Sequence, residues 1–150
     1  MDMIKYLIFS LGFIITHTFI YIIAGIVTYP LVHKGHPIYD YYLRKEEEEK
    51  GWSKAMRLLL PAQLLRGFLF SLVLYPIMGY MNEFSLLMSF LFLFGLLYVF
   101  SGFASHIPFP GNIEGSVYVR EKFQKSWWKF HIEDLIYCPI VAFVVAWFLV

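Results

Sequence analysis

Apolar residues fall into four blocks along this chain, at residues 4–32, 58–80, 84–103 and 132–150. Each is near the roughly 20 residues that a helix needs to cross a bilayer. The polar positions inside the blocks keep a helical period. In the first, Ser10, His17, Tyr21 and Thr28 step by seven, four and seven residues and so share one face. In the second, Gln63, Arg66, Gly67 and Ser71 lie at offsets of three, four and eight and share another. Such faces are expected to turn towards neighbouring helices, and Gly67 permits a close approach. His17 with the hydroxyls of the first helix is one candidate counterpart of the second stripe. In the third block Gly95 and Gly102, seven apart, are expected to mark a helix contact face.

The pattern predicts an all-α integral membrane protein, with four transmembrane helices in an antiparallel bundle forming a single domain. Tyr29-Pro30 is expected to end or kink the first helix. Pro61 is expected in the first turn of the second, where a missing amide costs little. Residues 81–85 are too few for anything but a tight link, so helices two and three are expected to form a hairpin.

Two connections carry further structure. Residues 38–57 hold the run Arg44-Lys45-Glu46-Glu47-Glu48-Glu49-Lys50, whose i,i+4 pairs of opposite charge predict an interfacial helical segment after helix one. Residues 105–120 read SHIPFPGNIEGSVYVR. Two prolines and two glycines argue against regular helix up to Gly115, yet the stretch stays apolar, so it is expected to be a re-entrant loop against the bundle mouth. The basic run 122–129 contains Trp127-Trp128, an interface anchor. His131, Glu133 and Asp134 are expected to open the last helix, where acids suit the positive end of the dipole.

Composition agrees: 59% hydrophobic, 21% aromatic and only 15% charged residues, with mean hydropathy +0.63. Soluble domains are about a quarter charged. A net charge of +1 with no basic stripe outside the loops argues against a nucleic-acid partner. The partner to expect is the lipid bilayer, with a second copy or another membrane protein beside it. The single cysteine, Cys138, excludes an intrachain disulfide and a cysteine metal pair. His33 and His36 lack the context of a metal site, and no cofactor is called for. Lys34, Arg44, Lys45, Lys50, Lys54 and Arg57 follow helix one, and Arg120, Lys122, Lys125 and Lys129 follow helix three. The positive-inside rule then places both long loops in the cytoplasm and both termini outside, in a plasma membrane rather than an organelle.

The halves 1–75 and 76–150 also echo each other faintly: Gly35, Tyr42, Arg44, Trp52 and Leu59 fall on Gly111, Tyr118, Arg120, Trp128 and Leu135, as in a parallel repeat.

Polar chemistry concentrates at Arg66. An arginine within a span costs at least about 2.5 kcal/mol unless it finds a partner, water or the interface. Glu114 is the acid of the re-entrant stretch and the first choice of partner. With His17, Gln63, His106 and Arg120 these residues form the candidate polar site. No Walker A loop, GxSxG elbow, HExxH or ligand-spaced acidic cluster is present, so no catalytic residue is assigned. Three readings follow: a non-catalytic subunit or interaction protein of a membrane assembly, expected on base rate; an oligomeric small channel or transporter with an Arg/His/Glu pathway; and a membrane enzyme on a lipid-phosphate substrate.

Overall fold

A computed structural model describes residues 3–32, 49–104, 109–125 and 127–149, with the backbone alone over 49–56. Among these residues every regular element is helical. The order is α1 (Met3–Val32), α2 (Glu49–Leu74), a 3₁₀ turn (Tyr75–Ile77), α3 (Met78–Met81), α4 (Leu86–Tyr98), a π-helical segment (Val99–Phe103), α5 (Ile113–Tyr118), α6 (Glu121–Gln124) and α7 (Trp128–Phe148). Four stretches are long and apolar enough to cross a membrane: Met3–Val32, Arg57–Met81, Leu86–Phe103 and Trp128–Phe148. Their outer faces are greasy, with Ile8, Ile15, Phe19 and Ile26 of α1 all exposed, as lipid contact requires and water would not tolerate.

The close helix pairs are α1 with α2, α1 with α7, and α4 with α7. Helix α1 therefore sits between α2 and α7, and α7 between α1 and α4. The link after Met81 is as short as expected, and Ser85 caps α4 by accepting a hydrogen bond from the Met88 amide at 3.3 Å. Yet α2 and α4 pack mainly on α1 and α7 rather than on each other. The core follows from this arrangement: Phe9 and Phe13 of α1, Leu93 and Leu97 of α4, and Val141 and Val145 of α7 are fully buried.

Both polar stripes point inward. Gly67 lets α1 come so near that a Cβ there would lie 3.1 Å from the Ile14 Cα. Beside it, the Ser71 hydroxyl donates to the Phe68 carbonyl at 2.7 Å and accepts from the Ser10 hydroxyl at 2.7 Å. The Tyr6 and Tyr75 rings meet edge to face at 4.3 Å. Thus residues 6, 10 and 17 of α1 face, in turn, residue 75 of the 3₁₀ turn and residues 71 and 63 of α2.

Several boundaries differ from expectation. Helix α1 runs through Pro30 to Val32. Helix α2 begins at Glu49, so Pro61 lies in its interior, not its first turn, and withholds one backbone donor there. Helix α7 begins at Trp128, four residues before the expected start. Helix α5 begins at Ile113, inside the stretch expected to stay irregular. The reason is Asn112, whose Oδ1 accepts from the Gly115 amide at 2.6 Å and the Phe109 amide at 3.2 Å, capping the helix after the left-handed turn at Gly111 (φ 98°). Gly102 is a close-contact glycine as expected, but nothing lies within 4 Å of a Cβ placed at Gly95. Residues 33–48 and 105–108 lie outside the described residues. With them go most of the interfacial segment, His33, His36, His106 and the repeat landmarks Gly35, Tyr42 and Arg44.

Candidate functional site

The π-helical segment that ends the third span is where the bundle opens. The Ala104 amide bonds back five residues to the Val99 carbonyl at 2.7 Å, widening the last turn. π-Turns of this kind are rare and are often found at functional sites. Here the widened turn presents Ser101 and Gly102 to α7. A Cβ on Gly102 would come within 2.9 Å of the Asp134 Oδ2 and 3.4 Å of the His131 Nδ1, so a larger residue there would crowd the Asp134 carboxylate.

Around this turn lies a cavity of about 200 Å³. Its walls are Tyr21 of α1, Arg66 of α2, Ser101 and Gly102 of the π turn, Phe109, Pro110 and Gly111 of the following loop, and Phe130, His131, Glu133, Asp134 and Tyr137 of α7. The volume lies below the roughly 300–1,000 Å³ of drug-sized sites and suits a small molecule.

Arg66 extends between two rings, its guanidinium carbon 5.7 Å from the Tyr21 centroid and 5.6 Å from that of Phe70. Among the described residues it forms no ion pair and no hydrogen bond. The Asp134 carboxylate is likewise without either among the described residues, although it shares the cavity with Arg66. The third charge, Glu133, is held: the Thr28 hydroxyl shares its proton between the Ala24 carbonyl at 2.8 Å and the Glu133 Oε2 at 3.3 Å. The Ser101 hydroxyl is buried with no hydrogen-bond partner among the described residues.

His131 fastens the cavity wall. Its Nε2–H donates to the Gly111 carbonyl at 2.8 Å, which leaves Nδ1 of the neutral ring to accept from the Tyr98 hydroxyl at 3.4 Å. Phe103 stacks on it at 4.6 Å and Trp127 meets it edge-on at 5.5 Å. One imidazole thereby ties α4, the Gly111 turn and α7 together.

Behind the cavity lies a second polar group. His17 is fully buried; its Nε2–H donates to the Gln63 Oε1 at 3.3 Å, so Nδ1 of the neutral ring accepts the proton of the Tyr137 hydroxyl. Tyr137 lines the cavity and so connects it to the α1–α2 interface.

Of the six sequence candidates, the structure places Arg66 in the cavity wall and His17 and Gln63 one residue behind it. Glu114 is half-buried in the first turn of α5, outside the cavity walls, and Arg120 is exposed at the start of α6. His106 lies outside the described residues. The acids that share the cavity with Arg66 are Glu133 and Asp134, which the sequence reading assigned to helix capping. They are the sixth and seventh residues of α7, beyond its first turn, so capping does not account for them. The readable signal was the spacing of His131, Asp134, Tyr137 and Cys138, at i, i+3, i+6 and i+7, which puts all four on one inward side. His131 and Glu133, two residues apart on α7, both line the cavity.

Compared with known protein families, with curated proteins and with solved structures, the chain matches none.

Proposed function

We propose that this is a small membrane protein of the transporter and channel class, which binds a small charged ligand in the cavity between α2, α7 and the π turn. The observation that carries the reading is the pair of charges, Arg66 and Asp134, facing one cavity within membrane-spanning helices and forming no hydrogen bond or ion pair with each other or with the other described residues. Charge at such depth is costly, and unpaired intramembrane charge belongs to ligand and ion pathways far more than to packing. A purely scaffolding bundle gains nothing from it.

The same reading has a topology. The order of the α1–α2 pairs, with residues 6, 10 and 17 against 75, 71 and 63, supports an antiparallel bundle. Pro110 is buried and, with Gly111, walls the cavity, which supports a loop that folds back over the bundle mouth. The basic residues of both long loops then put the cavity end in the cytoplasm and the termini outside, with the plasma membrane as the site of action. An interaction with a larger assembly through the cytoplasmic loops is compatible with ligand binding and adds to it.

Reconstitution tests the reading. Proteoliposomes holding the folded protein are expected to exchange small labelled charged solutes, and Arg66→Gln and Asp134→Asn to abolish the exchange without unfolding the bundle. Folded wild-type protein that moves and binds none of them overturns it and returns the protein to the scaffold class.

A further inference from the structure

The cavity's charges also specify what enters it. We propose that the ligand is zwitterionic, a small molecule that carries an anionic group for Arg66 and an ammonium group for Asp134. The inference rests on the ligand-binding reading above and narrows it to one chemistry.

Arg66 offers a planar fork of five N–H donors, the geometry that holds a carboxylate or phosphate through two parallel bonds. Its ring contacts with Tyr21 and Phe70 fix the guanidinium without using those donors. Across the cavity, Gly102 makes room for the Asp134 carboxylate, and no donor among the described residues satisfies it. Were the two charges meant only for each other, closing them into an ion pair would recover part of their desolvation cost. They share the cavity without touching.

The sum of charges excludes the simpler ligands. Glu133 is held by the Thr28 hydroxyl, and Arg66 and Asp134 are left facing the cavity with one charge of each sign, so a lone anion meets the Asp134 carboxylate. A lone cation leaves the guanidinium unanswered and is repelled by it. A molecule bearing both signs answers both groups at once, and the aromatic faces of Tyr21, Phe130 and Tyr137 suit its ammonium end. Such a ligand exists free, as an amino-acid-like or betaine-like solute, and tethered, as the headgroup of a zwitterionic phospholipid. A neighbouring hollow of about 420 Å³, lined by Phe103, Ile113 and Trp127 among others, meets the cavity at Gly111 and gives the tethered form a place for its apolar part.

The test uses the full chain in phosphatidylglycerol nanodiscs, with and without phosphatidylethanolamine, probed with free phosphoethanolamine, glycine betaine, ethanolamine and inorganic phosphate. The readouts are binding heat and the unfolding midpoint. A zwitterion, free or as the lipid, is expected to bind at least about tenfold more tightly than ethanolamine or phosphate, a difference of about 1.4 kcal/mol. Arg66→Gln should erase the preference over ethanolamine, and Asp134→Asn the preference over phosphate. Arg66→Lys, which keeps the charge but not the fork, should retain part of it, and Glu114→Gln all of it. Stabilisation by phosphatidylethanolamine alone identifies a headgroup; binding of free phosphoethanolamine or betaine in pure phosphatidylglycerol identifies a solute. Equal affinity for ethanolamine or phosphate overturns the zwitterion and leaves the binding cavity standing. No binding of any probe, with variants indistinguishable from wild type, overturns both.

Discussion

Two regions of this bundle hide polar groups from lipid, and they do so in opposite ways. In the middle of the α1–α2–α7 contact polar groups answer one another: Ser10 donates to Ser71, Ser71 to Phe68, and His17 uses both ring nitrogens on Gln63 and Tyr137, although the Tyr6 and Thr18 hydroxyls of α1 are buried with no hydrogen-bond partner among the described residues. At the cavity end, on the other side of Tyr137, Arg66 and Asp134 carry charges with no hydrogen bond or ion pair to another described residue. The first region is glue, in which polarity is neutralised within the protein. The second is a receptor surface, in which polarity is held for something that arrives. Burial alone does not separate the two; the presence of charge without an ion-pair partner does.

The comparison is broken most directly at His17. His17→Ala empties a fully buried ring site and strands Tyr137 and Gln63, so it should cost about 2–4 kcal/mol of stability. The expected signature in a detergent melt is a large fall in midpoint, with the ligand preference of the surviving folded fraction unchanged. A variant that melts normally but loses binding would put His17 in the receptor region instead.

Gly67→Leu attacks the same contact through shape. Its side chain would meet the Ile14 backbone and the His17 ring, and overpacking of this kind costs about 1–3 kcal/mol. The check is again the melt, with the smaller Gly67→Ala expected to fall between wild type and Gly67→Leu. Ser71→Ala removes one interhelical hydroxyl pair and should cost only about 0.6 kcal/mol, the average for hydrogen bonds between membrane helices.

The smallest expected effect sharpens the other side of the comparison. Glu114 lies outside the cavity walls, so the stability changes of Arg66→Gln and Glu114→Gln should add, with no coupling between them in a double-mutant cycle. Non-additivity would join α5 to the site and redraw its boundary.

The glue region was legible in the sequence almost residue by residue. Stripes of period 3.6, small residues opposite polar ones and a counterpart to His17 all follow from the chemistry of helices in lipid, which leaves few other places for these groups. The receptor region was half legible. Arg66 announces itself by cost, but its companions do not, because the apolar block begins at Ile132 whereas the helix begins at Trp128. That shift of four residues moves Glu133 and Asp134 from a terminus, where acids have a local explanation, into the second turn, where they have none. Likewise the Asn112 cap is masked in the sequence by the surrounding prolines and glycines, which argue against helix. The cavity itself is a property of three elements from distant parts of the chain, and no local window contains it.

The π-helical turn at Val99–Phe103 bears on how such a site arises and is lost. A π turn is one residue of surplus in an α-helical frame, and each residue of that frame is worth about 100° of rotation. Deleting a single residue between Val99 and Phe103 would leave a plain α-helix of the same apolar character, still able to cross the bilayer, with Ser101 and Gly102 swung off the face that meets Asp134. In genetic terms the span and the opening are separate inheritances: the span tolerates three lost nucleotides there, and the opening does not.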